Sequence, residues 1–109
     1  MTRPRFDELI HPSTRLTLVA MLAAADWAEF GYLRDELGLS DSALSKQLAA
    51  LEEAGYVATE RRADRGRRRV RARLTPAGRS AYDGHVAALR AIVGLDAGYG
   101  SGGASPARS

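Results

Sequence analysis

LSDSALSKQLAALEEAGYV, residues 39–57, decides how the chain is read. Ser40 is a good N-cap, and Asp41 lies in the first turn, where the helix dipole favours an acid. Leu44, Leu48 and Leu51 recur at helical spacing, and Gly55 stops the run. These features predict an amphipathic helix with three leucines turned to a core. Its other face carries Asp41, Ser42, Ser45, Lys46 and Ala49, mostly short side chains that let a partner approach closely.

Upstream, residues 14–25 place Leu16, Val19, Leu22 and Ala23 at helical spacing, with Leu18 and Met21 widening the stripe. Before them, residues 6–10 read as a short helical turn, broken by His11-Pro12-Ser13. A shorter helix from residue 30 or 31 to 37 buries Phe30, Leu33 and Leu37 and closes at Gly38. Downstream, residues 56–60 read as a strand. Residues 69–74 alternate strictly, with Val70, Ala72 and Leu74 on one face and Arg69, Arg71 and Arg73 on the other. Asp64-Arg65-Gly66 between them is turn chemistry, so the strands should form a hairpin, with Arg73 paired to Glu60 across it. Thr75-Pro76 starts a last helix running to about residue 93, with Tyr82, Val86, Leu89 and Ile92 available for burial. The expected organisation is one domain, residues 1–93, followed by a flexible glycine-rich tail, residues 94–109.

Composition narrows the function classes. The chain has 109 residues and no cysteine, which removes disulfides and thiolate metal or redox sites. No apolar run is long enough to span a bilayer, and MTRPRFDELI lacks a signal-peptide core, so a cytoplasmic location without a membrane partner is expected. The formal charge is +3, unevenly spread: residues 61–79 hold nine arginines against one acid, Asp64, and the remainder is net acidic. Guanidinium suits planar, bidentate contact with phosphate or base edges. His11 and His85 are isolated, without metal-ligand spacing, and read as surface or cap histidines. No nucleophile–base pair, phosphate loop or carboxylate dyad is visible, so neither an enzyme nor a cofactor is expected.

The order helix, short helix, helix, hairpin with basic tip, helix is the arrangement of a helix-turn-helix followed by a wing. HPSTRLTLVAMLA, FGYLRDELGLSDSALSKQLAALEEAGYV and GRRRVRARLTPAGR together resemble the MarR/ArsR-like winged-helix transcriptional regulators, in particular their short stand-alone members. The sequence departs from them in Phe30-Gly31-Tyr32, where a polar capped helix start is common, and in having no metal-sensing cysteine pair. The resemblance implies an α+β, mainly α, winged helix-turn-helix fold. It also implies a homodimer that binds a pseudo-palindromic site on double-stranded DNA and represses transcription. Any small-molecule effector would sit at the dimer interface, although no residue set marks a pocket there.

A helix fits the major groove, and its first turns can reach base edges. Asp41, Ser42, Ala43, Ser45, Lys46 and Gln47 are therefore the candidate reading residues, with Asp41 favoured as a dipole partner over a cytosine acceptor. On the wing, Arg65, Gly66, Arg67 and Arg68, then Arg69, are candidates for a minor groove, where arginine meets enhanced negative potential. Arg15 and Arg34 are candidate phosphate contacts. Phe6, Leu9, Ile10, Tyr82, Val86, Leu89, Ile92 and Val93 are candidate dimerisation residues. The competing reading is a winged-helix interaction module for an acidic protein partner. RNA binding is disfavoured because the arginines lack stacking aromatics beside them.

Overall fold

A computed structural model describes residues 2–94; the glycine-rich stretch 95–109 lies outside the described residues. In chain order the elements are α1 (Ser13–Ala23), β1 (Ala28–Glu29), α2 (Phe30–Leu37), α3 (Asp41–Glu53), β2 (Val57–Asp64), β3 (Arg67–Leu74) and α4 (Pro76–Ile92). The three strands form one antiparallel sheet in the order β1-β3-β2. The fold is the expected winged helix-turn-helix.

The capping signals act as read. Ser40 Oγ accepts the Ala43 amide, and Thr75 Oγ1 accepts the Gly78 amide with Pro76 beginning the helix. Leu44, Leu48 and Leu51 of α3 meet Leu18, Val19 and Leu22 of α1, Leu33 of α2, and Val57, Ala72 and Leu74 of the sheet in one core. Ile10 joins this buried set with none of its surface exposed.

The sequence reading missed β1, and it ended both hairpin strands short. β1 has two residues, too few for alternation to register, and it exists because Ala28 and Glu29 pair with Ala72 and Arg71. The hairpin is longer because its turn is the tightest available: only Arg65 and Gly66 lie between the strands, and Asp64 faces Arg67. Both turn residues have positive φ, 54° and 77°. That is the backbone handedness that matches a two-residue turn to the strand twist.

The register also corrects one cross-strand pair. Arg73 faces Ala58, and Glu60 faces Arg71. Arg71 Nε accordingly donates to Glu60 Oε1 at 2.6 Å, whereas Arg73 lies over Trp27.

Candidate nucleic-acid interface

The site is assembled from α3 and the wing. Along α3, Ser42, Ser45, Lys46 and Ala49 are exposed on the side opposite the buried leucines, one stripe of i, i+3, i+4 and i+7 spacing. Ala43, half-buried behind the cap, lies at the edge of that stripe. Asp41 is no open acid: Arg34 of α2 donates to its Oδ1 at 2.9 Å and to Asp35 Oδ1 at 2.9 Å. The two carboxylates, Asp35 first, raise the guanidinium pKa further above its ordinary value. Arg34 thereby screens the one negative charge in the first turn of α3, and it is held by two carboxylates rather than left alone.

Gln47 is half-buried and points toward α1. Arg15 Nε donates to its Oε1 at 2.8 Å, while Arg15 Nη1 donates to the Leu9 carbonyl at 2.8 Å. Arginine has no acceptor, so the carboxamide oxygen must face it, and the Gln47 NH₂ is left as a donor. Arg15 and Gln47 thus brace α1 against α3.

The nine arginines of residues 61–79 sort by strand parity. Positions 60, 62 and 64 of β2 and 67, 69, 71 and 73 of β3 share the outer face of the sheet. Acids neutralise most of that face: Arg71 and Arg62 approach Glu60 at 2.6 and 4.0 Å, and Arg69 meets Asp64 at 3.1 Å and Glu29 at 3.9 Å. Trp27 lies under the guanidinium carbons of Arg71 and Arg73, at 4.1 and 5.2 Å from its ring centre. Arg79 leaves the wing altogether and donates to the Ala23 carbonyl at the end of α1, where a cation suits the helix dipole. Among the described residues Arg61, Arg65, Arg67 and Arg68 make no salt bridge, and all four are exposed at the distal wing.

Of the wing residues named from the sequence, Arg65, Arg67 and Arg68 thus stand at the tip without a salt bridge among the described residues, Gly66 serves the turn, and Arg69 is braced by two acids. Arg61 was passed over by the sequence reading. Extending β2 to mirror β3 about the Arg65-Gly66 turn would have found it, opposite Val70 on the face that carries Arg68. Tyr32 was also passed over. It is 58% exposed on α2 and, with Arg34, Arg67 and Arg68, lines an open groove of about 440 Å³ between α2 and β3.

The terminal segments divide differently from expectation. Ile10 is withdrawn from any interface because the protomer's own core absorbs it completely. Leu9 and Tyr82 pack partly against that core, and Val86 and Leu89 are half-buried. Ile92 and Val93 are 68% and 61% exposed at the end of α4. Phe6 rests at 4.7 Å from the rings of both His11 and His85.

The histidines are the clearest correction. Distant in sequence, they meet in space: His11 Nδ1 lies 3.3 Å from His85 Nε2, and His85 is fully buried rather than a surface residue. Burial, then the neighbouring His11, lowers the His85 pKa.

The comparisons with known proteins agree with this geometry. The winged helix DNA-binding domain family matches residues 14–93. An uncharacterized protein of Methanocaldococcus jannaschii is 30% identical over 79 residues, 72% of this chain and 86% of that one. A transcriptional regulator homologue from Pyrococcus horikoshii superposes with a TM-score of 0.74 at 22% identity, covering 80% of this chain and 86% of the other, a likeness of fold. A MarR-family regulator from Silicibacter pomeroyi gives 0.56 at 28% identity, with 85% and 65% covered. The chain belongs to the winged helix DNA-binding domain family. Family and fold together make it a DNA-binding regulator of transcription, MarR-like in architecture.

Proposed function

We propose that the chain is a sequence-specific repressor that binds a pseudo-palindromic operator in duplex DNA as a homodimer. The observation that carries the reading is the sorting of charge. Asp41 at the start of α3 and the acids of the outer sheet, Glu29, Glu60 and Asp64, are ion-paired, whereas Lys46, Arg61, Arg65, Arg67 and Arg68, on α3 and the wing, make no salt bridge among the described residues. Ser42, Ser45 and Lys46 read base edges in the major groove, and the wing arginines enter the adjacent minor groove or follow its phosphates. Tyr32 and the Gln47 NH₂ supply further phosphate or base-edge donors. Repression follows if the operator overlaps a promoter.

The dimer forms through the exposed end of α4, Ile92 and Val93, extended by Val86 and Leu89 and flanked by Phe6. Two-fold symmetry then sets half-sites about 10 bp apart or a multiple of that. Duplex DNA is the partner, and the cytoplasm is the compartment where such a regulator acts.

A gel shift with the DNA upstream of the protein's own gene, beside random duplex of equal length, tests the reading. Preferential, salt-sensitive retardation by a species of twice the protomer mass is expected. Equal affinity for random duplex, or no retardation, contradicts it. A protein partner recovered equally before and after nuclease treatment would instead favour an interaction module.

A further inference from the structure

The N-terminal arm, residues 5–11, is fastened by an unusually specific set of bonds. The Arg5 amide donates to the Gly84 carbonyl of α4 at 2.9 Å. The Asp7 amide donates to His85 Nδ1 at 3.0 Å. Asp7 Oδ1 accepts the amides of Leu9 and Ile10 at 2.9 and 3.2 Å, and its Oδ2 accepts the Tyr56 hydroxyl at 2.6 Å. The His11 amide returns to the Asp7 carbonyl at 3.0 Å.

These bonds fix the protons on both rings. His85 Nδ1 accepts a backbone amide, so it carries no proton, and the neutral ring holds its hydrogen on Nε2. That hydrogen points at His11 Nδ1, which must be the acceptor. One proton thus lies between the rings, where a metal would need two lone pairs, and no group of three potential metal ligands exists among the described residues. A proton added to His85 sets an Nδ1–H against the Asp7 N–H. A proton added to His11 sets an Nδ1–H against the His85 N–H. Either places donor against donor, at a site with no exposed surface on His85.

We propose that this arm is an acid-released latch: the neutral His11–His85 pair holds it on α4, protonation of either ring frees it, and the release passes through Leu9 and Arg15 to Gln47 on α3. Ile10, buried in the core, remains as the anchor. When Asp7 leaves, the turn it caps at Leu9 and Ile10 loosens. The Leu9 carbonyl then leaves Arg15, whose other bond positions Gln47. Around the histidines, Asp7 and Glu8 act on His85 from the arm, and Tyr56, which feels the charge of Arg5, reaches it through Asp7 from the head of β2. The nearby charges of α4, Asp83 and Arg90, are exposed. Asp7 and Glu8 favour a charged ring, yet burial, then His11, outweighs them and holds the His85 pKa below its ordinary value.

The consequence for DNA rests on the proposed function, but the latch is testable without DNA. Amide exchange at Arg5, Asp7, Leu9, Ile10 and His11 is followed from pH 7.5 to 5.5, corrected for intrinsic exchange, with the Gln47 side-chain amide resonances recorded alongside. The comparison protein carries His11→Gln and His85→Gln, whose carboxamides reproduce one acceptor and one donor without a titrating proton. In the native chain, arm protection should fall about tenfold per pH unit for each histidine that takes up its proton only in the open state. The Gln47 resonances should move with it, while the double variant stays flat. If the double variant does not fold, His11→Gln alone, at an exposed position, should show a shallower pH response than the native chain. Arm protection that persists at pH 5.5, or an equal loss in the glutamine variants, overturns the latch. An arm that opens while Gln47 stays fixed overturns the relay to α3.

Discussion

Arg71 is clamped between Glu60, whose Oε1 lies 2.6 Å from its Nε, and Trp27, whose ring centre lies 4.1 Å below its guanidinium carbon. The clamp joins all three strands, since Trp27 precedes β1, Arg71 is on β3 and Glu60 is on β2. It holds a basic strand still without offering its charges to a partner. Replacing Trp27 by alanine should therefore lower stability by about 0.5–2 kcal/mol, the range of partly exposed cation–π contacts, plus the packing the ring provides. Thermal denaturation and faster exchange of β1 and β3 amides would register it.

At the wing tip, turn geometry and charge can be separated. Arg65 has φ of 54°, a conformation asparagine tolerates better than other non-glycine residues. Arg65→Asn should preserve or slightly raise stability while weakening duplex binding at low salt. Gly66→Ala keeps every charge but strains a φ of 77°, at a cost of about 1 kcal/mol. Binding isotherms and urea melts of the two variants should respond in opposite order.

Gly78 locks α4 to the junction of α3 and β2. A Cβ there would lie 2.0 Å from the Tyr56 carbonyl oxygen, a backbone atom that cannot step aside. Gly78→Ala should cost about 2–4 kcal/mol or prevent folding. Gly31→Ala, whose Cβ would meet only the flexible end of Arg34 at 3.6 Å, should be neutral or stabilise α2 by up to about 1 kcal/mol. Chemical denaturation of both decides the matter.

Stability should also follow the buried histidine. Burial lowers the folded-state pKa of His85, so the unfolded chain binds its proton first as pH falls. The contribution is complete above the ordinary histidine pKa of about 6.5 and is lost as pH drops below it toward the folded-state value. Urea midpoints of the native chain should fall between pH 7.5 and 5.5 by more than those of His85→Gln.

Helices α3 and α4 were legible because each carries its own local signal: Ser40 before three spaced leucines, and Thr75-Pro76 before an apolar stripe. What escaped depends on pairing between distant segments. β1 is a strand only because β3 accepts it, and Arg61 takes its place opposite Val70, exposed on the face of Arg68, only because the hairpin closes at Arg65-Gly66. The partners of Arg15, Arg34 and Arg69 were invisible for the same reason, since each bonds an element other than its own helix or turn. The histidines, 74 positions apart, gave no spacing to read.

Exposed tip arginines and braced strand arginines divide the wing, and the proposed DNA contacts belong to the first group. Fluorescence anisotropy of a labelled operator duplex, titrated across salt concentration, tests this division most directly. With about four phosphate contacts per protomer, the dimer's slope of log K against log salt should be roughly −7. Arg65, Arg67 and Arg68 replaced together by glutamine should make that slope shallower by about 1 for each phosphate no longer neutralised. Arg62 and Arg69 replaced together should leave it nearly unchanged. An unchanged slope in the tip variant, or an equal change from the braced pair, would contradict the division.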